Sequence, residues 1–147
     1  MSLNVPLLRS SFELVVERAP DVTHRFYDIF FERYPQVRPM FNRNSRDKQE
    51  QMLTQALVMV MEHLEDAPWL TRTLESLGEK HVHYGVKNEM YGWVGECLLA
   101  ALAGAAGEAW TPELEQAWSE AYGAISSLML RGAARAQPQP PAPQATA

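Results

Sequence analysis

A single cysteine, Cys97, stands in the 147-residue chain. One thiol closes no internal disulfide and builds no cysteine-based metal cluster within one chain, and it agrees with a reducing compartment. No apolar run approaches the length that spans a bilayer. The start, MSLNVPLLRSSFELVVERA, lacks a basic segment followed by an apolar core and a small-residue cleavage site. These absences lead to the expectation of a cytoplasmic protein with no membrane partner. Basic charge is short as well: 13 Lys and Arg against 18 Asp and Glu leave a net charge of −5, which argues against a nucleic-acid partner. No GxSxG, phosphate-cradling glycine loop or paired-carboxylate motif is present, so any chemistry must be brought by something bound.

Hydrophobic residues make up 46% and charged residues 21%, the composition of one soluble globular domain with a core of ordinary size. Apolar residues recur at three and four with few β-branched runs and no alternating strand pattern, which predicts an all-helical fold. A first helix is expected over Val5 to Arg18, with Leu8, Phe12, Val15 and Val16 inward. Ala19-Pro20-Asp21 breaks it before a second helix running to Tyr34, whose stripe is Val22, Phe26, Ile29 and Phe30.

Pro35 and Pro39 allow only a short helical turn, leaving Phe41 at a corner ahead of a loop over Asn42 to Arg46. A long helix follows from about Asp47 to Glu65, carrying Leu53, Leu57, Val60 and Leu64, with Gln49 one turn ahead of Leu53 on that face. Beyond Asp66-Ala67-Pro68 comes a stripe of Leu70, Leu74, Leu77 and His81, closed by Tyr84-Gly85. Two more helices are expected, from about Asn88 to Ala105 and from Thr111 to Arg131. Thr111 is the N-cap of the last, and its stripe is Leu114, Trp118, Tyr122, Ile125 and Met129. After about Ala133 the chain is alanine, proline and glutamine with little to pack. It therefore divides into a domain over residues 1–133 and a disordered tail over 134–147.

Four histidines offer themselves as ligands. His24 and His63 lie among charged neighbours and read as surface residues. His81 and His83 sit two apart on a helix, point about 200° apart and cannot grip one ion together. Periodicity alone leaves His81 open as a core histidine with one satisfied ring nitrogen or as a metal ligand. Cys97 reads as a small core residue, although an exposed thiol there could link two chains; both monomer and homodimer stay open.

The segments FYDIFFERYPQVRPMF, LEDAPWLTRTLESLGEKHVHYGV, YGWVGECLLAAL and WSEAYGAI, in that order and spacing, give the chain a resemblance over roughly residues 5 to 131. It resembles the globins, in particular single-domain bacterial haemoglobins and the globin domain of flavohaemoglobins, with some likeness to neuroglobin. The resemblance implies a 3-over-3 helical sandwich around haem b (iron protoporphyrin IX). It makes His81, in the KH pair before GV, the proximal ligand of the metal, and matches Phe41 to the phenylalanine that stacks on the porphyrin. On the distal side it points to Tyr27 and Gln49, with Leu53 one turn on. Gln51 and Gln55 lie close by, and a slip of two residues would exchange Gln51 for Gln49. Leu77, Val86, Tyr91 and Val94 match positions that line the proximal side and rim, where ordinary core residues would look the same.

The implied partners are dioxygen, nitric oxide or other small gases. A buried phenol and amide donating to bound oxygen imply high affinity and slow release. That suits oxygen binding or storage, with nitric oxide detoxification as a further role. Relatives convert nitric oxide to nitrate when a reductase restores ferrous iron, so a nitric oxide dioxygenase served by a separate reductase is an alternative, and a haem-based gas or redox sensor module is another. One departure stands out. Flavohaemoglobins support the proximal histidine with a tyrosine, matched by Tyr91, and a glutamate, whose place falls at Ala133. The chain ends in its tail where their reductase domain would begin, so turnover is expected to draw on an external electron donor.

Overall fold

The computed structural model describes residues 3–136, and among them every regular element is helical. The helices are α1 (Val5–Arg18), α2 (Val22–Arg33), α3 (Arg46–Glu62), α4 (Ala67–His83), α5 (Glu89–Ala106) and α6 (Pro112–Ala136), with a 3₁₀ segment at Pro35–Phe41. Four starts are capped as their sequences suggest. Asn4, Ser45, Asp66 and Thr111 accept from the backbone N–H of Leu7, Lys48, Trp69 and Leu114 at 3.1–3.3 Å. α4 ends where Gly85 takes φ +86°, a conformation that favours glycine, and the Val86 N–H returns to the His81 carbonyl at 3.0 Å.

The fold is the expected 3-over-3 sandwich. α4 lies along α6, α2 crosses α5, and α1 bridges α5 and α6, while α3 packs mainly on α2. The core draws on the predicted stripes: Leu8, Phe12 and Val15; Val22, Phe26 and Phe30; Leu57, Val60 and Leu64; Leu114, Trp118 and Met129. Buried Trp118 donates to Ser11 Oγ at 2.9 Å, tying α6 to α1. Where α3 ends and α4 begins, Val60, Leu64, Leu70 and Leu74 meet Ala121 and Ile125 of α6 around an apolar gap of about 20 Å³. From that closed end the two helices run on to Gln49 and His81, and the apolar residues along the way, Leu53 and Leu77, are only half-buried.

Several expectations are corrected. Val16 is 39% exposed, because the face set by Leu8, Phe12 and Val15 meets the core and Val16 sits at its edge. His63 is half-buried rather than on the surface: its ring stacks on Trp69 at 3.7 Å and Nδ1 pairs with the Met59 carbonyl at 2.7 Å. The segment Glu89–Ala109 is long and apolar enough to cross a bilayer by length and composition, contrary to the reading of the sequence. Its mean hydropathy is 1.2 and 44% of it is buried. α1, α2 and α6 all pack on this helix, which accounts for its apolarity on several sides. α6 continues to Ala136, past the expected boundary, and residues 137–147 of the expected tail lie outside the described residues.

Cys97 has no exposed surface, and burial lifts its thiol from 9.0 to about 11. Two units cut the thiolate fraction about a hundredfold at neutral pH. The native protein is expected to resist alkylation and to react fully once unfolded in urea; stoichiometric labelling of the native form would contradict this burial.

Candidate functional site

The stripe of α4 delivers His81 to the side of the helix that carries Leu70, Leu74 and Leu77. Its Nδ1 lies 2.8 Å from the Leu77 carbonyl. A carbonyl can only accept, so Nδ1 carries the proton, and in the neutral ring Nε2 is left with a free lone pair. Burial pushes the imidazole below its ordinary value, against the opposing effect of the Leu77 hydrogen bond. His81 is therefore a neutral ring with an uncommitted nitrogen, the state a metal ligand requires.

α2, the 3₁₀ segment and the start of α3 build a second cluster. Tyr27 is 4% exposed. It is wedged against Phe26 at 4.9 Å and Phe41 at 5.7 Å, both edge to face. Gln49 donates from Nε2 to the Tyr27 hydroxyl at 3.2 Å. Burial pushes the phenol above its ordinary range, with the Gln49 bond working the other way. Tyr27, Phe41 and Gln49 together line a cavity of about 170 Å³. Of the two nearby glutamines, Gln51 is exposed and Gln55 is exposed, so Gln49 is the one turned to this space.

The cavity has four lining residues that the sequence reading missed: Phe31, Arg38, Asn42 and Arg46. Arg46 lies 5.7 Å from both the Tyr27 and Phe31 ring centroids, and Arg38 lies 5.3 Å from that of Phe31. Arg46 is tied down by Glu50 at 2.7 Å, Asp28 at 2.8 Å and the His24 carbonyl at 2.8 Å. The available signal was the density of arginines in RPMFNRNSR, together with Phe31 four residues after Tyr27 on one helical face.

His81 is not among the residues around this cavity, which is smaller than the roughly 300–1,000 Å³ of ordinary small-molecule sites. It holds Tyr27 and Gln49, which the resemblance assigns to the distal side, and none of the residues that it assigns to the proximal side. The predicted proximal and rim residues Leu77, Val86 and Val94 and the predicted distal Leu53 are half-buried apolar groups packed against the core, and Tyr91 is 7% exposed. The Tyr122 hydroxyl donates to the Tyr91 carbonyl at 2.6 Å, but the Tyr91 hydroxyl itself is buried with no partner. Ala133, which the resemblance puts at the place of the supporting glutamate, is 3% exposed and has no side-chain acceptor. Among the described residues no group of three or more His, Cys, Asp or Glu could hold a metal ion. A metal here would rest on His81 and on ligands that arrive with it, which is what a porphyrin supplies, so the residues present fit that group.

The globin family profile matches residues 24–129. A flavohaemoprotein of Rhodopirellula baltica is 34% identical over 128 residues, covering 86% of this chain; the chain spans 31% of that relative's length. Among solved structures, a bacterial globin from Campylobacter jejuni superposes with a TM-score of 0.76 at 28% identity, covering 89% of this chain and 94% of its own. An engineered carbene transferase, a candidate nitric oxide dioxygenase from Rhodothermus marinus, gives 0.78 at 27% identity, covering 89% and 91%. Profile, relatives and superposition converge on one assignment, and it carries a haem site with it: the chain belongs to the globin family.

Proposed function

We propose that the protein binds haem b through His81 and holds dioxygen tightly in the chamber lined by Tyr27 and Gln49. The observation that carries this reading is the imidazole of α4 with Nε2 uncommitted, alongside a buried phenol on α2 with its amide partner on α3. When bound, haem supplies an iron that takes dioxygen or nitric oxide.

The chain's own groups determine what happens to such a ligand. Because Gln49 donates to the Tyr27 oxygen, the phenol keeps its own proton for donation into the cavity. Burial raises its pKa, so the proton stays on the oxygen at neutral pH. Phe31 and Phe41 exclude water and strengthen each donor bond. At roughly 1–3 kcal/mol for each donor, the pair slows ligand release by on the order of thirtyfold to ten-thousandfold.

The proximal side supports binding over turnover. His81 Nδ1 is bonded to a backbone carbonyl, a weaker acceptor than a carboxylate, and the Tyr91 hydroxyl has no partner through which to assist. Nitric oxide dioxygenation with a separate reductase is the second reading, favoured by the likeness to the Rhodothermus marinus protein. Sustained nitric oxide consumption over many turnovers with a reductant present would place it first. A single stoichiometric turnover supports binding.

Three variants test the site. His81→Ala should lose the haem absorption bands; a variant that takes up haem with an unaltered spectrum would remove His81 from the site. Tyr27→Phe should speed oxygen dissociation at least about tenfold, the loss of one charge-assisted donor; stopped-flow release at the original rate would contradict the role of the phenol. Tyr91→Phe should leave thermal stability unchanged or raise it by about 1 kcal/mol, since it deletes a buried hydroxyl with no partner. A clear drop in melting temperature would mean that the hydroxyl is bonded after all.

A further inference from the structure

α4 and α6 approach until their main chains touch. A β-carbon on Gly78 would lie 1.9 Å from the Met129 carbonyl oxygen, and one on Gly132 would lie 1.8 Å from that of Glu75. The contact is reciprocal: each helix puts its glycine against the other's backbone. Real β-carbons do not come that close to backbone oxygen, so any side chain at either position must push the helices apart. A glycine inside a helix costs stability relative to alanine, and two are kept here, both at the crossing.

The Glu75 side chain closes the same point. It is buried to 11% exposure and accepts from Arg135 at 2.8 Å and pairs with Arg131 at 3.3 Å, residues one turn apart on α6 that flank Gly132. Arg135 also reaches Glu79 at 3.5 Å. Glu75 thus meets α6 twice, with its carbonyl on Gly132 and its carboxylate between two arginines.

Gly78 lies one turn before His81, and the two residues point about 60° apart around the helix. A shift of α4 off α6 at Gly78 is therefore passed to the imidazole through one rigid turn. We propose that the glycine crossing of α4 and α6, clamped by Glu75 with Arg131 and Arg135, fixes how far His81 reaches into the pocket. Gly78 and Gly132 are positioning residues for the proximal ligand. This rests on the haem reading above.

The test uses the haem-loaded ferrous protein without a gas ligand. Gly132→Ala is expected to move the iron–imidazole stretching band in the resonance Raman spectrum and to speed haem transfer to an acceptor apoprotein by about tenfold. Leu8→Val, in buried α1, lowers stability elsewhere and should leave the band in place. If it moves the band equally, the band follows general loosening and the proposal falls. Should Gly132→Ala fail to fold, the double variant Arg131→Gln with Arg135→Gln decides, since both arginines are more than half exposed and their loss adds no bulk. It is expected to broaden the band and speed haem transfer several-fold. Unchanged band and transfer in a variant, with the band present in the parent, overturn this proposal and leave haem binding standing. No band in the parent overturns both.

Discussion

The hydrogen bond from His81 Nδ1 to the Leu77 carbonyl is the constraint on which the site depends. An imidazole in an apolar stripe needs a partner for its N–H, and a helical carbonyl has a second lone pair to spare for one. By giving its only proton to the turn below, the ring fixes its tautomer and its orientation in one step. What is left is a nitrogen that can only accept, facing the side on which Leu70, Leu74 and Leu77 stand. Had the proton resided on Nε2, that nitrogen would be a donor and closed to a metal. His83, two residues on, is exposed and points away.

The Tyr27 side follows another logic. Its buried donors, the Tyr27 hydroxyl and the Gln49 amide, are neutral, while Arg38 and Arg46 also line the cavity, Arg46 paired with Glu50 and Asp28. Glu50 and Arg46 act on the Tyr27 phenol in opposite directions, and they are bonded to each other at 2.7 Å. Phe26, Phe31 and Phe41 surround the tyrosine edge to face or tilted, with Phe30 packed behind Phe26 and Phe41, and the packing fixes its two side-chain torsions. A donor held this way loses little freedom when a ligand arrives, which is why a single hydroxyl can weigh heavily in release.

Much of this was legible from the residue pattern, and the remainder was hidden for physical reasons. The start of α6 was clear because Thr111 is a cap residue followed by proline, whereas the caps at Ser45 and Asp66 lay inside stretches that read only as a loop and a break. The leucine stripe on α4 was clear because its period is that of a helix. Whether His81 ends that stripe as ligand or as core was not decidable from spacing, since both roles ask for the same face; the order of the segments around it carried the choice. Arg38 and Arg46 stayed hidden because long cationic side chains read as solvated, and nothing in periodicity shows one folding back over an aromatic ring. The glycine crossing was hidden because glycine in a helix reads as weakness, and only the partner backbone shows what its missing side chain makes room for. The end of α6 was set too early because composition was weighed above propensity: alanine is the strongest helix former, and Ala133, Ala134 and Ala136 extend the last turn.

The two walls of the pocket differ in how firmly they are held, and this assigns their roles. α4 is locked to α6 by contact between main chains and by a buried carboxylate between two arginines. α3 packs mainly on α2, carries half-buried Gln49 and Leu53 on its inner side, and leaves Met52, Val58 and Met59 well exposed. Opening a path for a gas molecule requires some element to yield, and the cost is lowest where the fewest packed contacts are lost. That element is the first part of α3, with Gln49, Asn42 and Arg46 around the chamber it covers. The proposed reading gives retention to Tyr27, which sits on α2 among packed aromatics and cannot yield without disturbing the core. On the proposed reading, a substitution at Gln49 is expected to act on arrival and release together and one at Tyr27 on release, because Gln49 stands on the more lightly packed helix and Tyr27 among packed aromatics.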